Sequence, residues 1–315
     1  MRDTSRAEHA WPATESGALR LSTAVAGVIG AVALTVSVLS GSQAILLDGL
    51  FNAIYAVVGI FTLRVGRMVV APDDDTYPFG YAYFESLVNA VKGLLMLGVS
   101  VLALYNAGVT LASGGSAISA GLSIVYAFAA TLGCAATALV LRRVRDRLAS
   151  PLVDADIENW QVNALISASV LLAFCLIPVA RWVGWDPVVP YVDSLLVIVV
   201  VLLCLGVPVR MARRALRELL NRAPAAALAD PVRASIEATL APLSPVAVHV
   251  RMVRPGRLLY VTVHVVIEQG ASLDIAAADR FRERLDTGVR SLISPVVVDA
   301  VFTAESRWAA PTAGL

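Results

Sequence analysis

Lysine occurs once in the 315 residues, at Lys92, and histidine three times, at His9, His249 and His264. Charged residues make up only 16% of the chain against 58% hydrophobic ones, a balance that excludes an ordinary water-soluble domain over most of its length. The formal net charge of +1 removes any overall bias toward nucleic acid or an acidic partner. Cys134, Cys175 and Cys204 are far apart and lie in apolar runs, so they read as small buried hydrophobes rather than a disulfide framework. There is no glycine-rich phosphate loop, no nucleophile motif with a placed histidine and no HExxH, so nothing points to an enzyme. The polar stretch from Met1 to Gly17 lacks the short charged start and small-residue cleavage site of a secretory signal.

What is abundant is long apolar sequence. A helix needs about 20 apolar residues to cross a bilayer. Six stretches qualify: Leu21–Ser40, Gln43–Leu63, Glu85–Ala112, Ile118–Leu141, Gln161–Ala180 and Val188–Val209. Arginines cluster in alternate connections: Arg2, Arg6 and Arg20 before the first span, Arg64 and Arg67 after the second, Arg142 to Arg147 after the fourth, and Arg210 to Arg222 after the sixth. Positive charge stays on the cytosolic side, so both termini are expected in the cytosol. Abundant arginine against one lysine is consistent with a GC-rich bacterial genome; the membrane expected is the cell (inner) membrane.

Beyond the last span the pattern changes. Met211–Asn221 is amphipathic and basic, and Ala223-Pro224 breaks it. Asp230–Leu240 is helical in character. Val246–Val253, Leu258–Ile267 and Val296–Phe302 alternate as strands, and Ala276–Leu292 is an amphipathic helix. The fold expected is an all-α six-helix transmembrane domain with a C-terminal α+β domain of order αββαβ. The organisation is a tail over 1–19, the membrane domain over 20–209, a linker helix over 210–224, the small domain over 225–307 and a tail over 308–315, loose after Glu305.

Polar side chains inside membrane helices are costly and mark sites. Asp48 and Asn52 in the second span are four residues apart and share a helix face, as do Asn159 and Asn163 at the start of the fifth. Two such pairs can set four oxygen ligands around one hard or borderline cation. The alternative is that the asparagines bond neighbouring helices to each other. Glu85, Asn89 and Lys92 share a face of the third span, as an access path or a helix-end salt bridge. Asp73, Asp74 and Asp75 could attract cations or form a solvated turn.

Three segments carry a resemblance: SQAILLDGLFNAIY from Ser42, DDDTYPFGYAYFESLVNAVKGLL from Asp73, and DIENWQVNALIS from Asp156. Over about residues 20–307 the chain resembles the cation diffusion facilitator family, most specifically in Pro78–Tyr81 with Glu85. That resemblance implies a six-helix transporter with a cytosolic ferredoxin-like domain, acting as a homodimer in the lipid bilayer and exporting a divalent cation in exchange for protons, with no nucleic acid partner. It implies a transport site on Asp48, Asn52, Asn159 and Asn163. It further implies a regulatory zinc-like ion in the small domain, on His249 and His264 with Asp279 and Asp299, rather than any resident cofactor of transport. Asp193 matches an aspartate often present in the family.

The chain departs from the family pattern at Asn52 and Asn163, where aspartate is usual, and has no histidine in the membrane region. The four ligands then hold one negative charge, and a desolvated divalent ion would be poorly neutralised. Three outcomes stay open: weak binding of an Mn²⁺- or Fe²⁺-like ion in preference to Zn²⁺; added charge from Asp156, three residues before Asn159; or a transport-impaired protein serving as a membrane metal sensor or scaffold. Of the four, only Asp48 can exchange a proton for metal.

Overall fold

The computed structural model describes residues 14–69, 71, 73–116, 119–148, 151–270 and 273–309. Arg2, Arg6, His9, Ala117, Ile118 and residues 310–315 lie outside that set. The chain divides into two compact units, Met1–Met68 with Val88–Ala212, and Val69–Leu87 with Arg213–Leu315.

The first unit is built from α1 (Glu15–Ser40), α2 (Gln43–Met68), α3 (Ala82–Ala112), α4 (Ala120–Leu148), α5 (Pro151–Trp182), α6 (Val192–Cys204) and the start of α7 (Gly206–Leu219). Among the described residues, six stretches are long and apolar enough to cross a membrane, the sixth running past this unit to Leu219. Most helices outrun their apolar windows, because polar turns continue the helix beyond the hydrophobic layer. The largest difference is α5, which starts ten residues before the expected Gln161. Proline suits its first turn, and Val153, Ile157 and Trp160 recur at helical spacing and are buried. α6 and α7 form one span with a break at Leu205, where Pro208 has no N–H to give the carbonyl of Cys204.

Close contact between α1 and α2 rests on glycine. A Cβ at Gly30 would stand 2.9 Å from the Ala53 nitrogen, and one at Gly49 would stand 3.0 Å from the Leu34 nitrogen. Small residues let two backbones approach in a membrane, and this contact sets which face of α2 looks inward. A cluster including Leu141, Val153, Ile157 and Trp160 joins α4 and α5, with Ala18 and Ala26 of α1 against it.

In the second unit α8 (Ala226–Leu240), β1 (Ala247–Val253), β2 (Leu259–Val266), α9 (Ile275–Leu292), β3 (Val296–Thr303) and α10 (Ser306–Ala309) follow in order. The expected αββαβ order is present. β2 is central, antiparallel to β1 and parallel to β3. Period-two alternation buries Leu259, Val261, Val263 and Val265 against Ile236 of α8 and Leu285 and Val289 of α9. The opposite face carries His249, Arg251, Thr262, His264 and Asp299. The tail is not loose directly after Glu305: Ser306–Ala309 forms a helical turn, Ala309 is buried, and Arg251 Nη2 donates to its carbonyl at 3.1 Å.

The connection between α2 and α3 belongs to this unit. Asp74 accepts from Tyr81 Oη at 2.5 Å and from the backbone N–H of Tyr77 and Thr76 at 2.8 and 2.9 Å, which holds its carboxyl below the ordinary value. It organises a turn. Glu85 pairs with Arg257 Nε at 3.3 Å, and Ser86 Oγ accepts from the Gly256 N–H at 2.8 Å. Tyr260 donates to the Phe79 carbonyl. Gly256, at φ 56°, has no room for a side chain, since a Cβ would lie 2.5 Å from Glu85 Oε2. The Pro78–Glu85 motif thus seats the β1–β2 turn.

Candidate functional site

Asp48, Asn52, Asn159 and Asn163 line one cavity of about 300 Å³ within the first unit. α2 and α5 supply the polar wall, while Val197, Val200 and Cys204 of the sixth span and Met96 and Ser100 of α3 supply much of the rest. The orientation of α5 has a local cause. Trp160, between the two asparagines, is buried and donates through Nε1 to Ser22 Oγ of α1 at 2.7 Å.

Asp48 is tightly held. Asn52 Nδ2 donates to its Oδ1 at 3.0 Å and to its backbone carbonyl at 2.9 Å, and Tyr126 of α4 donates to its Oδ2. Sequence reasoning missed Tyr126. Its signal is a hydroxyl inside an apolar span, two turns from the start of α4, which must find an acceptor when buried. The arrangement offers one carboxylate and three amide carbonyls as oxygen donors, with Tyr126 able to take or return a hydrogen bond as Asp48 changes partner.

Asp156 does not line the cavity. It lies behind Tyr55, whose hydroxyl donates to Asp156 Oδ1, and among the described residues its buried Oδ2 has no hydrogen-bond partner. Lys92 Nζ sits 3.8 Å from the centroid of the same Tyr55 ring. Glu85 and Lys92, placed on one helix face by their spacing, therefore have separate partners, Arg257 for one and Tyr55 for the other.

Asp193 is fully buried at the start of α6 and caps α2. It accepts from Ser42 Oγ at 2.5 Å and from the N–H of Gln43 at 2.7 Å and of Ala44 at 3.4 Å. A carboxylate at a helix N-terminus satisfies orphan donors and meets the positive end of the helix dipole.

A family profile described as the cation efflux transmembrane domain matches residues 19–220. The chain belongs to the cation efflux family. Its members are transporters rather than enzymes, and this one is a multi-pass membrane protein. It is 27% identical to an uncharacterized transporter, sll1263, of Synechocystis sp. over 51% of this chain and 50% of that one. It is 31% identical to the manganese efflux system protein MneS of Bacillus subtilis over 30% of this chain and 32% of that one. With the metal cation efflux system protein CzcD of Cupriavidus metallidurans it shares 25% identity over 88% of this chain and 84% of that one. The matches to the first two span half or less of those relatives.

On the open face of the sheet His249 stands directly opposite His264, and Asp299 lies beside Thr262 one pair along. Asp279 is on α9, which packs against the other face, and is ion-paired with Arg282 at 2.7 Å. Among the described residues no three His, Cys, Asp or Glu side chains come together to hold a metal. Arg251 Nη1 instead reaches His264 Nδ1 at 3.3 Å. Burial, with Arg251 beside it, pushes the His264 imidazole below its ordinary value. The folded ring takes its proton less readily than the unfolded one. Its contribution to stability is therefore complete above about pH 6.5 and fades as pH falls below that. Ring NMR on the full chain in micelles should show His264 titrating below the ordinary histidine value, and Arg251→Gln should move it upward.

Proposed function

We propose that this protein exports a divalent cation from the cytosol in exchange for protons, favouring Mn²⁺ or Fe²⁺ over Zn²⁺. The observation that carries the reading is the single cavity shared by Asp48, Asn52, Asn159 and Asn163. Oxygen donors without an imidazole suit hard and borderline ions. Met96 and Cys204 also face the cavity, but two soft donors without a third make a poor Zn²⁺ site. The name of the manganese efflux relative points the same way. Asp48 is the proton-exchanging group: protonated it gives up the ion, and ionised it takes one.

Both termini lie in the cytosol by the arginine distribution. The αββαβ unit is read as ferredoxin-like and as the contact between two copies in a homodimer. A regulatory ion on its open face would use His249, His264 and Asp299 once Arg251 left His264, with Asp279 too far around the domain to join without rearrangement.

One observation favours a second reading, a transport-impaired sensor or scaffold: both oxygens of Asp48 already accept hydrogen bonds from the protein. Purified protein in liposomes decides between them. Mn²⁺, Fe²⁺, Zn²⁺ and Co²⁺ are offered under a pH gradient, and absence of flux for all four would overturn the transport reading. In the same series Asn52→Asp and Asn163→Asp each add a carboxylate. Each should tighten divalent binding by about tenfold, with Zn²⁺ gaining most.

A further inference from the structure

We infer that Lys92 sets the charge of the cation site: it cancels Asp156 and leaves Asp48 as the net charge an arriving ion meets. The inference rests on the transport reading above. Lys92 is the only lysine in the chain and lies, two turns beyond Glu85, in the third of the stretches long and apolar enough to cross a membrane. An ammonium there is costly unless something balances it. Two features do so. Its Nζ lies 3.8 Å from the centre of the Tyr55 ring, in cation–π geometry. It also shares Tyr55 with Asp156, a carboxylate that accepts the hydroxyl of the same ring.

Tyr55 lines the cavity, so this charged pair stands directly behind its wall. Among the described residues, the other ionisable side chains on the cavity are Asp48 and Cys204. Among the described residues, two carboxylates and one ammonium give the site region a net charge of one negative unit when all three are ionised. A divalent cation then leaves it with one positive unit, whereas without the lysine it would be neutral. Charges inside a membrane domain are poorly screened by salt, so the difference reaches the ion even though Lys92 touches none of its ligands. The lysine thereby keeps divalent binding weak and release fast.

The pair makes a charge cycle that separates this role from a structural one. Mn²⁺ uptake into liposomes under a pH gradient is measured for wild type, Lys92→Met, Asp156→Asn, the double variant and Lys92→Arg. Lys92→Met should lower KM about tenfold and slow maximal turnover, because release becomes limiting. Asp156→Asn should raise KM by a similar factor. The double variant carries the wild-type net charge and should return KM toward the wild-type value, and Lys92→Arg, which keeps the charge and stacks on Tyr55, should do the same. A merely structural pair predicts instead that every variant loses activity with KM unchanged, which would overturn the inference. If Lys92→Met does not fold, the double variant must still show a KM about tenfold below that of Asp156→Asn, and equal values would sink the idea. Absence of Mn²⁺ flux in wild type would instead remove the transport reading, and this inference with it.

Discussion

On the transport reading, replacing Asp48 by asparagine should abolish cation-driven proton release and weaken divalent binding by about a hundredfold, roughly 3 kcal/mol of lost charge pairing. The change is isosteric. The asparagine amide can still meet Tyr126 and Asn52, so the helices that hold the cavity stay in place. What disappears is the carboxylate, the one titratable group among the four proposed ligands. Isothermal titration in detergent reads the affinity, and a pH-sensitive dye inside liposomes reads the protons. Release that persists unchanged in the variant would show that the coupled proton comes from another group.

Asp193→Ala should be the most destabilising of the simple truncations in the membrane unit. It strands the buried hydroxyl of Ser42 and the half-buried N–H of Gln43. Each stranded buried donor costs about 1–3 kcal/mol, and the positive end of α2 loses its counter-charge as well. Thermal unfolding in detergent should show a clear drop in midpoint, with Asp193→Asn falling between the variant and the wild type because one acceptor oxygen survives. Equal midpoints for Ala and wild type would mean that the cap contributes nothing.

The six spans, the αββαβ order and the paired asparagines were legible because each depends on periodicity or on apolar length, which a sequence displays directly. What crosses from one helix to another was not. Tyr126 reads as one more apolar residue of α4 until Asp48 is found opposite it. Asp156 shares its helix with Asn159, and spacing alone puts it near the ion, but the turn of α5 sends it behind Tyr55. Glu85 and Lys92 are seven apart and aligned along α3, yet periodicity names only a side of a helix and not the neighbour facing that side. In the small domain the alternation of β2 showed that His264 points away from the buried valines. It could not show that α9 would carry Asp279 to the opposite face.

Three side-chain bonds tie the helices around the proposed ligands together: Trp160 of α5 to Ser22 of α1, Tyr55 of α2 to Asp156 of α5, and Tyr126 of α4 to Asp48 of α2. Of the three, only the last ends on a proposed ligand. An ion that drew Asp48 toward itself would release that tie and leave the other two in place, so α4 would be the helix that senses occupancy.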